Sequence, residues 1–199
     1  FTKWPLAVLL GSSVVALSLY DYDSWMQDSY GDKRFGKFDK VMEYVGEFYT
    51  LDTASLFVYL GGTLAKDEKI KLTGEALLEA LLITQGLTLF VKATVARSRP
   101  NNNTMSFPSS HASSSFCVAS VLEVLHGPKF GIPAYLMASL ISFTKFDSKS
   151  HYTTDLLMGA ALGTTIGLGT ALFHKHGLEN VHIIPMVGMM NGLSVSVDL

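Results

Sequence analysis

A chain of 199 residues is long enough to bury a sizeable core without staples, and its 15 Lys and Arg against 17 Asp and Glu leave a net charge of -2, which gives no electrostatic case for binding nucleic acid. One cysteine, Cys117, cannot close an internal disulfide, and its apolar neighbours read as those of a small core residue. With 48% hydrophobic and 16% charged residues and a mean hydropathy of +0.30, the composition leans toward a membrane protein.

Apolar stretches at 5–20, 53–65, 73–96, 112–125, 130–144 and 155–173 predict an all-α chain: one domain over 1–199, packed as a six-helix bundle and expected to be transmembrane. Several stretches fall short of the roughly 20 apolar residues that a ~30 Å hydrocarbon core requires. The third also carries Glu75, Glu79 and Gln85, so a compact water-soluble bundle stays open as the alternative. After the first stretch comes a polar insertion, 21–50, with apolar residues at Phe38, Val41, Met42, Val45 and Phe48. That spacing is helical, and the stripe is expected to pack on the main body. The segments 66–71, 126–133 and 174–180 read as turns or helix ends. The tail from 181 alternates in polarity and contains Asn191-Gly192, the signal for a tight turn, so it predicts a C-terminal β-hairpin.

Three clusters occupy the polar gaps. Lys92 and Arg99 are seven residues apart, about two helical turns, which puts both on one face before Pro100 stops the helix. Taken alone, such cations ordinarily interact with the helix dipole or snorkel to an interface. The second cluster, Pro108-Ser109-Ser110-His111, runs straight into an apolar helix. A serine N-cap with free first-turn N–H groups behind it makes an anion site with His111 at its mouth, although the serines could equally serve only as caps. In the third cluster Lys145 precedes His151 by six residues, and His151 and Asp155 stand at i and i+4. On one helix face the carboxylate would accept a ring N–H and keep the imidazolium available as an acid. If the six helices run up and down, all three clusters meet at one end of the bundle, a constellation suited to phosphoryl transfer.

Lys-x6-Arg-Pro, Pro-Ser-x-His and a basic residue six before His-x-x-x-Asp, in this order, resemble the type 2 phosphatidic acid phosphatase superfamily over residues 51 to 173. The resemblance implies a helical bundle and a metal-independent reaction without cofactor. In it His111 is the nucleophile that forms a phosphohistidine, His151 protonates the leaving oxygen, and Asp155 orients His151. It likewise implies that Lys92, Arg99, Lys145 and the backbone at Ser109 and Ser110 hold the phosphoryl oxygens, and that vanadate inhibits. Two positions depart from the family pattern. Ser110 stands where Gly is usual, and its Cβ restricts close approach; Thr144-Lys145 replaces Ser-Arg, keeping the charge but losing the two-pronged grip.

The expected function is therefore hydrolysis of a lipid phosphate or pyrophosphate whose apolar tail stays in a bilayer. The alternatives are a soluble periplasmic acid phosphatase of the same superfamily and a catalytically inactive bundle used for transport or as a scaffold. A haloperoxidase is set aside because those chains are generally much longer. The resemblance suggests the bacterial inner membrane with the site facing the periplasm. The basic residues not assigned to phosphate divide evenly between the two ends, so charge sets no orientation. The chain opens on Phe1 rather than Met, so a targeting segment ahead of it is not judged.

Overall fold

The computed structural model describes residues 4–31, 33–176, 181–186 and 192–197. In chain order the helices are α1 (Trp4–Leu19), a 3-10 turn (Tyr20–Tyr22), α2 (Asp23–Tyr30), α3 (Lys37–Gly46), α4 (Phe48–Ala65), α5 (Glu68–Val95), α6 (Ser110–His126), α7 (Pro128–Asp147) and α8 (Thr153–His176). The expected count of six is thus corrected to eight α-helices among the described residues. The six long ones overlap the six apolar stretches, and the insertion folds into the short α2 and α3. Beyond α8, Val181–Met186 and Gly192–Val197 pair as antiparallel strands β1 and β2. The turn expected at Asn191-Gly192 lies partly outside the described residues, and Gly192 itself is already paired with Met186.

Local chemistry fixes the helix ends. The segment 66–71, expected as a separator, is mostly helix: Lys66 closes α4 in the left-handed conformation, and the Asp67 carboxylate accepts from the N–H groups of Lys69 and Ile70, both at 3.0 Å, to open α5. Lys71 then pairs with Glu68 and Glu75, so the charges that suggested a linker stabilise the first turns. Gly127 (φ 74) alone separates α6 from α7, with Pro128 in the first turn of α7.

Helix α6 is the centre of the bundle, packed against α5, α7 and α8. Its inward face is built of small residues, among them Ala112, Ser113, Cys117 and Ser120, all buried. Facing them on α8 are Gly159, Gly163 and Gly167, where an added Cβ would come within 2.6 Å of Ser109 O, 2.0 Å of Ser113 O and 2.5 Å of Cys117 O. Backbones therefore approach closely along this seam, and the approach fixes the start of α6 against the start of α8. Cys117 is a buried free thiol in the core with Ala76, Leu77, Ala80, Leu81, Val121 and Ala171.

Two polar side chains that the sequence singled out within the apolar run of α5 have partners: Gln85 donates to Asp52 at 2.8 Å and Glu79 meets His174 at 2.7 Å. Among the described residues α5 and α8 are long and apolar enough to cross a membrane. Residue counts of 28 in α5 and 20 in α7 give lengths of about 42 and 30 Å, against a hydrocarbon core of about 30 Å. Large apolar side chains point outward on several helices, including Leu64 (83% exposed), Leu82 (74%), Phe90 (68%) and Leu136 (66%). Large apolar side chains turned outward on neighbouring helices suit a surface that meets lipid or a partner.

Candidate active site

The predicted site residues gather where α5 ends, α6 begins, α7 ends and α8 begins. His111 occupies the first turn of α6, and its imidazole lies within electrostatic reach of Lys145, His151, Arg99 and Lys92. Ser109 is the N-cap, accepting from Ala112 N–H at 3.4 Å, while its own N–H donates to the carbonyl of Asp155 at 2.9 Å. That bond ties the turn of His111 to the turn that carries Asp155. Ser110 follows, its carbonyl accepting from Ser113 Oγ at 3.1 Å. Lys92 is buried, its Nζ donating to Met105 O at 2.7 Å. Lys145 is also buried.

Two expectations of helical register are corrected. Lys92 and Arg99 do not share a helix face: α5 ends at Val95, Ala96 caps it in the left-handed region (φ 47), and Arg99 lies in the loop beyond, with its Nε donating to Thr104 O at 3.2 Å. The loop, not helical periodicity, brings the two cations to one place. His151 and Asp155 do not share a helix either, because α8 starts at Thr153. His151 sits in the preceding turn, its N–H bonded to Lys145 O at 3.2 Å. Its Nδ1 is 3.7 Å from Asp155 Oδ2, an ion-pair distance longer than a hydrogen bond. Burial holds His151 below its ordinary pKa; Asp155 opposes this, and Arg99 and Lys92 press the same way as burial.

Sequence reasoning missed several residues that the fold brings in. Arg97, inside the Lys-x6-Arg-Pro spacing, donates to Asp155 Oδ1 at 2.8 Å and to Asp23 Oδ2 at 2.9 Å. Ser106 donates to Asp155 Oδ2, which also accepts from Tyr152 N–H at 2.9 Å. On the other side α3 contributes acids. Asp39 and Glu43 each stand 3.5 Å from Lys145 Nζ, and Glu47, between α3 and α4, stands 3.3 Å from His111 Nε2. The signal was present as Asp39, Glu43 and Glu47 at i, i+4 and i+8, but a row of acids on an amphipathic helix ordinarily faces water. Gly46 sits against His111, where a Cβ would lie 3.3 Å from its Cδ2 and 2.7 Å from Ile141 Cγ2.

A groove of about 370 Å³ opens beside this cluster, lined by Lys92 and Ser110 at one end and by Phe48, Leu82, Gly86 and Leu89 beyond them. It runs from the cationic end of the site to the outward apolar face of α5.

Comparison with solved structures gives a transmembrane PAP2 type phosphatidylglycerolphosphate phosphatase from Bacillus subtilis at a TM-score of 0.74, with 20% identity, covering 87% of this chain and 97% of that one. The chain has the PAP2 phosphatase fold. LpxE from Aquifex aeolicus superposes at a TM-score of 0.55 with 24% identity, over 67% of this chain and 82% of that one. In sequence, 80 residues are 29% identical to the lipid A 1-phosphatase of Porphyromonas gingivalis; the match covers 38% of this chain and only 18% of the length of that relative. No protein-family model matches the chain. The Bacillus subtilis structure and the Porphyromonas gingivalis relative are thus both phosphatases of lipid phosphates.

Proposed function

We propose that the chain is a membrane-embedded, metal-independent phosphatase that hydrolyses a lipid phosphate or pyrophosphate through a phosphohistidine on His111. The observation that carries this reading is the grouping of two imidazoles with Lys92, Arg99 and Lys145 around the first turn of α6. In the first step His111 Nε2 attacks phosphorus, the bond from phosphorus to the lipid oxygen breaks, and His151 gives its proton to that oxygen. In the second step water attacks phosphorus, its proton passes to His151, the Nε2–P bond breaks and inorganic phosphate leaves. The three cations and the first-turn N–H groups of α6 counter the charge on the equatorial oxygens throughout, which supplies the positive field that such transfers require. Lys145 keeps one point charge where Arg would grip two oxygens.

The groove supports a lipid substrate. Its apolar stretch along Phe48, Leu82 and Leu89 suits an acyl or prenyl chain while Lys92 and Ser110 meet the head group. The outward apolar surface of α4, α5 and α7 favours this reading over a water-soluble acid phosphatase. By the same resemblance the protein works in the bacterial inner membrane with its site toward the periplasm, and vanadate inhibits it.

The test is phosphate release from phosphatidic acid, phosphatidylglycerolphosphate and undecaprenyl pyrophosphate in detergent micelles. Wild type is expected to turn over at least one of them and His111→Ala none. Equal inactivity of wild type, His111→Ala and His151→Ala across lipid and soluble phosphates would leave a scaffold or transport bundle. Recovery of the protein in the aqueous fraction after carbonate washing would overturn the membrane assignment.

A further inference from the structure

Asp155 is not a private partner of His151. The Arg97 guanidinium spans two buried carboxylates, Asp155 (0% exposed) and Asp23 (1% exposed), at 2.8 and 2.9 Å. It is clamped between the rings of Tyr20 and Tyr152, with its central carbon 4.4 and 4.2 Å from their centroids. Asp23 is fixed in turn by Thr154, through the backbone N–H at 3.1 Å and through the hydroxyl. The result is a continuous buried row, Asp23, Arg97, Asp155, His151, running from the first residue of α2 to the proposed acid. Short, buried, charge-assisted contacts of this kind are strong, and breaking one leaves an uncompensated charge. The contact of Asp155 with His151, at 3.7 Å, is the loosest in the row.

We propose that Arg97, held in place by Asp23, is a positioning residue that divides the Asp155 carboxylate between itself and His151 and so sets how firmly His151 holds its proton. The inference rests on the assignment of His151 as the acid. It gives the start of the 21–50 insertion a role in the chemistry, because Asp23 takes part of the Arg97 charge that would otherwise fall on Asp155.

The signs follow from the charges. The groups facing His151 are Asp155 from α8, Arg99 from the loop after α5, Lys92 from α5 and His111 from α6. Those facing Arg97 are Asp23, Asp155, Tyr20 and Tyr152. Removing the positive charge of Arg97 leaves the field of Asp155 on the imidazolium unopposed, so the proton is held to higher pH. Removing the negative charge of Asp23 leaves Arg97 less compensated, so the proton is lost at lower pH. The two substitutions act in opposite directions, which no loss of packing would produce.

The experiment is the pH profile of kcat for full-length protein in detergent with phosphatidic acid, whose own titration is common to every variant. Arg97→Gln is expected to move the basic limb up by about half a pH unit or more and Asp23→Asn to move it down by a similar amount. Arg97→Lys, which keeps the charge but serves only one carboxylate at a time, is expected to lower kcat without moving the limb. Melting in the same detergent checks folding; if Arg97→Gln does not fold, Asp23→Asn, which retains Arg97, decides alone. A limb that stays fixed while kcat falls by one factor at all pH values, or that moves the same way in both variants, overturns the inference. A wild type that is inactive, or indifferent to His151→Ala, defeats instead the reading on which it rests.

Discussion

The two imidazoles of the site are held in opposite ways. His151 is 1% exposed, tied through its backbone to Lys145, and faces a carboxylate that already has Arg97, Ser106 and the Tyr152 N–H as donors. Neither His111 Nε2 nor His151 Nδ1 has a hydrogen-bond partner among the described residues, but His111 Nε2 faces the carboxylate of Glu47, which is itself partly exposed. Lys145, the cation nearest in effect to His111, is shared by Asp39 and Glu43. The carboxylate behind His151 is thus fully held by the fold, whereas Lys145 and His111 face acids that, on the proposed reading, a phosphate dianion would have to displace. Preorganisation is where an enzyme gains rate, and the built side is the one that carries the proposed proton donor. The α3 carboxylates act on the side where charge must enter.

This contrast can be broken or sharpened by substitution. The largest effect is expected for His111→Ala, a loss of turnover of at least about a thousandfold, since no neighbouring group replaces a covalent nucleophile; initial rates of phosphate release check it. Asp155→Asn on the built side is expected to cost about a hundredfold or more in kcat with KM little changed, because it removes both the Arg97 partner and the orienter of His151. Gly159→Ala pushes a Cβ to within 2.6 Å of Ser109 O and is expected to destabilise by about 1–3 kcal/mol, read as a lower melting temperature in detergent.

The smallest effect has the opposite sign. Glu47→Gln removes the carboxylate beside His111 and is expected to lower KM about two- to fivefold, the scale of a partly exposed ion pair. Burial, then the charge of Glu43, raises the Glu47 carboxyl above its ordinary pKa. A group with a raised pKa becomes neutral on modest acidification, and neutral Glu47 no longer competes with phosphate. The advantage of Glu47→Gln is therefore expected to be full at neutral pH and to close as pH falls, as KM measured for both proteins across that range would show. A higher KM in Glu47→Gln would mean that the carboxylate helps substrate bind.

The same contrast marks what could be read from the sequence. The long helices were legible because apolar runs bounded by Gly127-Pro128 or by Lys66-Asp67 leave little choice, and the gathering of the candidate residues because three spacings occur in one order. What periodicity could not give was the irregular backbone: Ala96 turns the chain out of α5, so Arg97 and Arg99 part company, one to the carboxylates and one toward His111. Asp23 meets Arg97 across 74 positions of sequence and Thr154 across 131. No local pattern encodes such a contact. The acids of α3 were visible but without meaning until Gly46 let that helix lie against His111 and Ile141.

The central claim is a covalent one, and trapping tests it most directly. Wild type and His111→Ala would be mixed with phosphatidic acid labelled in its phosphate, quenched within the first turnover, and the protein examined for bound label. The account predicts label on wild type that is stable to alkali and lost in acid, as a phosphoramidate is, and none on His111→Ala. Label retained by His111→Ala, or an active wild type that never carries label, would contradict it.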